Sequence, residues 1–500
     1  MSPLSVHLPA LQVVVPLLTA PLAILLGQRG LAWAAATAAS LFSFAVAVAL
    51  VLQVGDSGAT SYEMGSWPAP YGIELIVDEF AALLLLIVTG ASSLALLVAH
   101  NSLVKEIAED RQHLFYTAWL LALAGLCGIV VSGDAFNIFV FMEISSLATY
   151  ILVAGGPKRQ ALSAVFKYLI MGTIGATFYL IGVGLIYMLT GTLNLADMEA
   201  RIHEVSDLNP ILVAGGFITI GLALKAAVFP LHGWLPGAYT YAPHAVTVFV
   251  AACSTKVFLY VLLRFDFFVF QGNLPGHIAQ FSGFILPLAI AAALVGSAIA
   301  LFERDLKRLL AYSSVAQIGY IMFGASLVSA TGLTAGIAHM FNHALAKGTL
   351  FLAVASLATT YSTLTIDGIA GAAKRMPFTM AAFVVAGLSL IGIPGTAGFV
   401  GKWYLVLAAV EGGVPGALLV VPILASSVMA VLYIWKIVES AYFSAQAPNA
   451  EVQGNGRSEA PWWVLTVLWG AVLLNVYFGL EPSLPLELAR EAAAALLARP

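Results

Sequence analysis

Residues 224–243 read LKAAVFPLHGWLPGAYTYAP and interrupt an otherwise apolar run. Pro230 lies near the start of this stretch, and proline removes a backbone donor and clashes with the preceding helical turn. A second stretch of the same kind, GLSLIGIPGTAGFVGKWY at 387–404, has Pro394 between glycines. The two stretches predict two broken helices, one in each half of the chain.

The chain as a whole is too apolar for a soluble protein. Of its 500 residues, 61% are hydrophobic and 9% are charged, whereas soluble domains have about 25% charged and 45–50% apolar residues. A helix needs about 20 apolar residues to cross the hydrocarbon core. We therefore predict an all-α polytopic membrane protein. Its fourteen predicted spans are 8–27, 31–53, 79–100, 114–133, 136–154, 162–190, 210–229, 244–264, 278–301, 309–329, 332–358, 378–410, 416–440 and 461–480.

Spans seven and twelve contain the two breaks, at Pro230 and Pro394. Backbone groups that a break frees inside a membrane must be satisfied by protein or by water. Broken helices at corresponding positions in two halves are typical of transporters, in which they line the ion site between structural repeats. The breaks therefore predict a hydrated transport site.

The positive charges of the loops predict the orientation, because Lys and Arg are more frequent in cytoplasmic loops. The odd-numbered loops contain eleven such residues and the opposite side contains four. The eleven are Arg29, Lys105, Arg111, Lys158, Arg159, Arg304, Lys307, Arg308, Lys374, Arg375 and Arg457, and the four are Arg201, Arg264, Arg490 and Arg499. This bias predicts that both termini lie outside and that the odd-numbered loops lie in the cytoplasm.

Apart from Glu79 and Arg264, which are the terminal residues of their spans, eight charged residues fall inside predicted spans. A charge at the bilayer centre costs at least about 2.5–3.5 kcal/mol. The eight are Glu143, Lys167, Lys225, Lys256, Lys347, Lys402, Lys436 and Glu439. Snorkelling to the interface is one interpretation of Lys167, Lys436 and Glu439, which lie nearer to span ends. The other five lie mid-span or beside a break. For these five we favour a proton or ion pathway over a purely structural ion pair.

His339, His343 and Lys347 are spaced at i, i+4 and i+8, so they share one helical face. Histidine titrates nearest to neutral pH, and burial favours the neutral form of lysine. This stripe suits stepwise proton transfer through intervening water. The alternatives are two hydrogen-bonded core histidines or, less in keeping with the sequence, a metal site, which needs more ligands than two imidazoles.

A polar face in the tenth span has two interpretations. It consists of Tyr312, Ser313, Gln317 and Tyr320. These groups would either support a water chain or join helices by hydrogen bonds across the interface.

Several chemistries are excluded by the sequence. Trp403 follows Lys402 where a P-loop needs Ser or Thr, and the glycine spacing before it is one residue too long. No dinucleotide-binding, zinc-protease or haem-attachment motif is present, and Cys127 and Cys253 lie inside apolar runs. The net charge of −4 gives no basic field for nucleic acid. We therefore expect no cofactor, no metal and no enzymatic activity of the chain alone, with energy supplied by an ion gradient or a partner.

Five segments carry a resemblance to a known family. They are FVFMEISSLATYIL (139–152), LKAAVFPLHGWLPGAYTYAP (224–243), DLKRLLAYSSVAQIGYI (305–321), HMFNHALAKGTLFL (339–352) and GIPGTAGFVGKWYL (392–405). In this order they resemble the antiporter-like proton-conducting subunits of complex I, Mrp sodium/proton antiporters and membrane-bound hydrogenases. The segment GSWPAPYGIELIVDEF (65–80) looks most like the Mrp D subunit.

The resemblance implies fourteen spans with two inverted five-helix repeats and broken helices 7 and 12. It divides the chain into 1–113 (helices 1–3), 114–265 (first repeat, helices 4–8), 276–441 (second repeat, helices 9–13) and 460–500 (helix 14 and a short tail). It also implies a bacterial or archaeal cell membrane.

The resemblance also implies roles for individual residues. The proton pathway would comprise Glu143, Lys225, Lys256, His339, His343, Lys347 and Lys402. Lys167, His232 and His244 would be accessory residues. His244 departs from the family, which more often has a small or hydroxyl residue there.

The favoured function is proton translocation in an Mrp-type sodium/proton antiporter, with membrane lipid and Mrp-type A, B, C, E, F and G-like subunits as partners. The alternative is a redox-driven complex I or hydrogenase relative. In either assembly, we expect Glu143 and Lys225 to form a switchable ion pair from which a proton passes by way of Lys256 and the His339–Lys347 stripe to Lys402.

Overall fold

The computed structural model describes residues 5–270, 277–445 and 459–498, in which twenty α-helices and one β-hairpin form. The helices are α1 Leu8–Leu26, α2 Arg29–Ser57, α3 Glu79–Glu106, α4 Gln112–Val131, α5 Ala135–Ala154, α6 Gln160–Thr190, α7 Leu195–Ile202, α8 Asn209–Lys225, α9 Leu235–Tyr241, α10 His244–Leu263, α11 His277–Phe302, α12 Leu306–Ser326, α13 Ala330–Leu357, α14 Ala372–Arg375, α15 Pro377–Ile391, α16 Ala397–Glu411, α17 Gly413–Leu418, α18 Val420–Phe443, α19 Trp462–Leu480 and α20 Ser483–Leu497. Arg457 and Arg499 of the loop count, and the repeat boundary at 276, lie outside the described residues.

Thirteen helical stretches in the described ranges are long and apolar enough to cross a membrane, which confirms the polytopic all-α prediction. They correspond to every predicted span except the twelfth. In place of the twelfth span the chain forms two shorter helices, α15 and α16. The inverted relation of the two repeats and the domain boundaries stay predictions.

Both predicted breaks are present. Helix α8 ends at Lys225, and α9 begins only at Leu235, with Pro230 in the turns between them. The second break separates Ile391 from Ala397 and contains Pro394. Lys225 is the last residue of the helix before the first break, and Lys402 lies in the second turn of the helix after the second break.

The segment between α2 and α3 forms a β-hairpin. Strand β1, Thr60–Glu63, pairs antiparallel with β2, Glu74–Val77, and the proline-containing segment connects them. Asp78 then caps α3, because its carboxylate accepts a hydrogen bond from the Ala81 amide.

Helices α10, α12 and α13 form the core of the molecule. Helix α10 is mostly apolar and buries all of its side chains except that of His244, as expected of a helix surrounded by others. Helix α13 packs against α10, α12, α15, α16, α19 and α20. The short tail predicted after the last span is the helix α20, which packs on α3 and α13.

Candidate functional site

Glu143 and Lys225 lie on neighbouring helices and form an ion pair. Lys225 Nζ lies 3.4 Å from Glu143 Oε1 and also donates to Ser146 Oγ at 2.7 Å. The lysine side chain is 1% exposed, whereas the glutamate side chain is 30% exposed. The pair therefore joins a fully buried ammonium group to a carboxylate that is partly exposed at the protein surface. Ser146 provides a second hydrogen-bond acceptor for the ammonium group.

The first break lies directly after this lysine. The Trp234 indole N–H donates to the carbonyl of Leu224 at 2.9 Å and so satisfies one backbone group that the break frees. His232 stacks on Phe229 with ring centroids 5.2 Å apart. Its Nδ1 atom is buried without a hydrogen-bond partner among the described residues, so the break retains an unused polar group.

Lys256 is buried in the middle of α10. Its Nζ atom donates to the Ala251 carbonyl at 2.5 Å. One turn away, Ala252 faces Gly348 of α13, and a Cβ atom added to that glycine would lie 3.8 Å from the Ala252 Cβ. This packing brings Lys256 within electrostatic range of both His343 and Lys347.

The stripe on α13 is buried along its whole length. Lys347 Nζ donates to the Leu310 carbonyl at 2.7 Å and to Ser313 Oγ. His339 Nε2 lies 2.8 Å from Gln317 Oε1. Helix α12 thus supplies partners to both ends of the stripe.

His343, in the middle of the stripe, differs from its neighbours. Neither of its ring nitrogens has a hydrogen-bond partner among the described residues. Its ring stacks on that of His339, with centroids 6.3 Å apart. A buried imidazole with two unused nitrogens is suited to relay a proton through water, because it can accept at one nitrogen and donate at the other.

Lys402 closes the line at the second break. Its Nζ atom donates to the carbonyls of Leu390 and Ile391, at 3.2 and 2.8 Å, and to Ser427 Oγ at 3.1 Å. The same atom lies 4.8 Å from the Tyr320 ring centroid, and the Tyr320 ring contacts His339, with centroids 5.7 Å apart. The lysine therefore satisfies two backbone carbonyls at the break. The Tyr320 ring lies between the lysine and His339, the nearest residue of the stripe.

The structure gives the stripe a direction. Its Lys347 and His343 end lies near Lys256, and its His339 end lies near Lys402. The first residue of the stripe in sequence, His339, is therefore the one beside Lys402, so a path from Lys256 to Lys402 runs along α13 against the direction of the chain.

Two of the predicted accessory residues, Lys167 and His244, lie apart from this line, whereas His232 lies in the first break. Lys167 of α6 is exposed and lines a separate cavity of about 350 Å³. His244, at the start of α10, contacts Glu106 of α3, with Nε2 3.5 Å from Oε1. Of the predicted pathway residues, Glu143 and Lys225 form a contacting pair at the first break. Lys256, the stripe on α13 and Lys402 form a second group, which ends at the second break.

Two functional groups were not identified from the sequence. Ser427 of α18 accepts from Lys402, and Glu106 contacts His244. A serine in an apolar helix carries no sequence signal of its own. Glu106 did carry a sequence signal, since it is an acidic residue just beyond a predicted span. Nothing in the sequence, however, placed it opposite His244, which is 138 residues away.

The charges of the line are unbalanced. Across residues 5–270, 277–445 and 459–498, a carboxylate within 4.0 Å is found for Lys225 but for none of Lys256, Lys347 and Lys402. Like charges in range of one another disfavour the charged form of each. The arrangement therefore favours a line in which only some of the sites hold a proton at one time.

Comparison with known proteins identifies the family. Residues 132–430 match the family described as "NADH:quinone oxidoreductase/Mrp antiporter, TM". NADH-quinone oxidoreductase subunit N of Desulforudis audaxviator (strain MP104C) is 41% identical over 92% of this chain and 90% of its own. The D subunit of the Na(+)/H(+) antiporter of Bacillus subtilis (strain 168) is 31% identical over 81% of this chain and 80% of its own.

A solved structure agrees with these relatives. A chain of the membrane-bound sulfane sulfur reductase, an archaeal respiratory membrane complex, superposes with a TM-score of 0.89 and 30% identity over 98% of both chains. The pair of broken helices, the buried lysines and these similarities lead to one conclusion: the chain belongs to the NADH:quinone oxidoreductase/Mrp antiporter transmembrane family.

Proposed function

We propose that this chain translocates protons across the membrane as one subunit of a larger complex and has no enzymatic activity of its own. The observation that carries the proposal is the line of buried titratable groups from Lys225 to Lys402, with its single carboxylate at one end. Burying four lysines between apolar helices is costly, and such residues mark ion pathways.

The ion pair supplies the switch. While Glu143 is ionised and lies 3.4 Å from Lys225, it stabilises the ammonium. When Glu143 is neutralised or moves away, burial favours the neutral amine, and Lys225 releases its proton. Ser146 then remains as a hydrogen-bond partner for the amine.

In this proposal the proton moves along the line from Lys225 towards Lys402. Lys256 and Lys347 are the next acceptors, and His343 and His339 pass the proton towards Lys402. The gaps between these side chains exceed one hydrogen bond, so water at the breaks and beside His343 completes the path. Lys402, held by the carbonyls of the second break, exchanges the proton with the opposite side.

The assembly that drives this movement has two candidates. The 41% identity to a subunit named for NADH-quinone oxidoreductase supports a redox-driven complex. The 31% identity to a subunit of a Na(+)/H(+) antiporter supports the Mrp-type antiporter that the sequence analysis favoured. The comparisons do not favour the antiporter over the redox-driven complex. We place either complex in a bacterial or archaeal cell membrane, with both termini outside.

Proton flux in everted membrane vesicles tests the proposal. We expect Lys225→Ala and Lys402→Ala to abolish flux, because each removes a proton carrier from the line. Lys167→Ala is the matched control, since this lysine is exposed and lies apart from the line. Assembled Lys225→Ala and Lys402→Ala complexes that translocate protons at the wild-type rate would overturn the proposal.

The driving assembly is tested on the same vesicles. A redox-driven complex gives flux on addition of an electron donor and without sodium, and its purified form contains redox subunits. A sodium/proton antiporter gives flux when a sodium gradient is imposed, without any electron donor. Mass spectrometry of the subunits that purify with this chain provides the independent readout.

A further inference from the structure

A cavity of about 530 Å³ lies apart from the line of buried lysines, at the ends of α3, α9, α10, α12 and α13. Its lining includes Glu106, Lys158, His244, Lys307 and Tyr361. These residues follow or begin spans on the side of the odd-numbered loops. The cavity is therefore a vestibule that opens on that side, next to the N-terminus of the helix that carries Lys256.

Glu106 and His244 face each other at the wall of this vestibule. Both carboxylate oxygens accept from the backbone N–H of His244 at 3.2 Å, and the His244 Nε2 atom lies 3.5 Å from Oε1. The Glu106 side chain is 8% exposed and that of His244 is 18% exposed. An acid and an imidazole are thus held together, largely buried but in contact with the cavity.

The charged groups around this pair come from three other elements. Lys307 begins α12 and donates to the Ala242 carbonyl at 2.6 Å, while Asp305 precedes it and Lys158 lies in the loop after α5. The vestibule also contains the hydroxyl groups of Tyr241 and Tyr361. The membrane-spanning part of α3 ends at His100, so Glu106 lies beyond it. Burial raises the pKa of Glu106 above its usual value, and the Lys307 ammonium opposes this effect.

We propose that Glu106 and His244 form a proton-loading site, at which the pair takes up a proton from water in the vestibule and supplies it to the buried line. This inference rests on the proposed function and names its point of proton uptake. A hydrated proton in the vestibule protonates the Glu106 carboxylate, and the carboxylic acid passes a proton to the unprotonated Nε2 atom of neutral His244. The imidazolium then releases its Nδ1 proton to water on the inner side, and the imidazole returns to its Nδ1–H tautomer before it accepts again. The carboxylate is then free to take up the next proton.

A polar path leads inward from the loading site. Thr247 and Thr255 follow His244 at i+3 and i+11, so the three share one face of α10. Tyr239 of α9 lies along this face, where its carbonyl accepts from Thr247 at 3.0 Å and its hydroxyl donates to the Val250 carbonyl at 3.4 Å. Lys256 directly follows Thr255. The face between α9 and α10 therefore gives water a hydroxyl-lined route from the vestibule to the line.

The test uses two variants that leave the local fold in place. Glu106→Gln keeps a carbonyl oxygen to accept from the His244 amide but cannot bind a proton. His244→Asn keeps that backbone amide and removes only the imidazole. Glu199 and His203 of α7 are the matched control, a Glu–His pair at the same separation of 3.5 Å but outside the vestibule. Glu199→Gln should therefore leave the flux unchanged.

The measurement is proton flux in vesicles against the pH of the odd-loop side, with the whole complex assembled. A loading site matters most when protons are scarce, so we expect either variant to lower flux by about tenfold at pH 8 and to approach wild type near pH 5.5. Glu199→Gln should follow the wild-type profile.

The outcomes separate the two proposals. If Lys225→Ala abolishes flux while Glu106→Gln and His244→Asn keep the wild-type rate and pH profile, the loading site is wrong and the proposed function stands. If both variants lower flux equally at every pH, the pair has only a structural role and the loading site is again wrong. If Lys225→Ala itself has wild-type flux, the proposed function fails.

Discussion

Single side chains carry the chemistry of this protein, and each buried lysine is held in a different way. Lys225 has a carboxylate, Lys402 has the two carbonyls of a broken helix, and Lys347 has a serine and a carbonyl. Only the first of these partners can change its charge. In the proposed function, the ion pair is therefore the point at which an external event alters the protonation of the line.

Gln317 positions one member of the line. Its side-chain oxygen lies 2.8 Å from His339 Nε2. Gln317→Leu should therefore remove the hydrogen bond that fixes the orientation of the imidazole. Loss of one such hydrogen bond is worth about 1.4 kcal/mol, so we expect proton flux in vesicles to fall by about tenfold. Tyr312→Phe, on the same helix but facing the separate cavity, is the control. Wild-type flux in Gln317→Leu would show that the position of His339 is not important.

At the scale of helices, the line depends on close packing between α13 and α16. Gly401 of α16 lies against His339, and a Cβ atom there would come within 2.6 Å of the imidazole Nδ1. Gly401→Ala should therefore displace the imidazole from Lys402. Overpacking of this kind costs about 1–3 kcal/mol.

Gly470→Ala is the matched control, because a Cβ atom at this helical position meets nothing within 4 Å. We expect it to be neutral or to stabilise the protein by up to about 1 kcal/mol. Thermal unfolding of the purified complex and proton flux, measured together, check both variants. An unchanged flux and melting temperature in Gly401→Ala would contradict the packing argument.

The helices themselves could be read from the sequence because their signals are local. Pro230 and Pro394 end helices through their own ring geometry, so both breaks were predicted correctly. The direction of the stripe could not be predicted, because it depends on which end of α13 packs against α16. The pairing of Glu106 with His244 was missed for the same reason, since it joins positions 138 residues apart.

At the scale of the whole molecule, the exposure of Glu143 indicates a partner. Its side chain is 30% exposed in the middle of α5. Leaving a charge against lipid costs about 2.5–3.5 kcal/mol or more. A neighbouring subunit that covers this face would remove the cost and could also act on the switch.

Thiol labelling tests this contact. We expect Glu143→Cys to react with a lipid-soluble maleimide in the separately expressed subunit and to be protected in the complex. Met188→Cys, on the exposed surface of α6, provides a comparison for a side chain that faces lipid. The natural Cys127 and Cys253 are buried and give the background. Equal labelling of Glu143→Cys in both states would show that no subunit covers this face.

The most direct test of the account is a double-mutant cycle on the ion pair, with proton flux in everted vesicles as the readout. The account predicts that Glu143→Gln and Lys225→Ala each abolish flux and that the double variant is no worse than either, because the two residues act as one unit. Assembly of every variant is checked by purification of the complex. Assembled Glu143→Gln and Lys225→Ala complexes that translocate protons at wild-type rates would contradict the account.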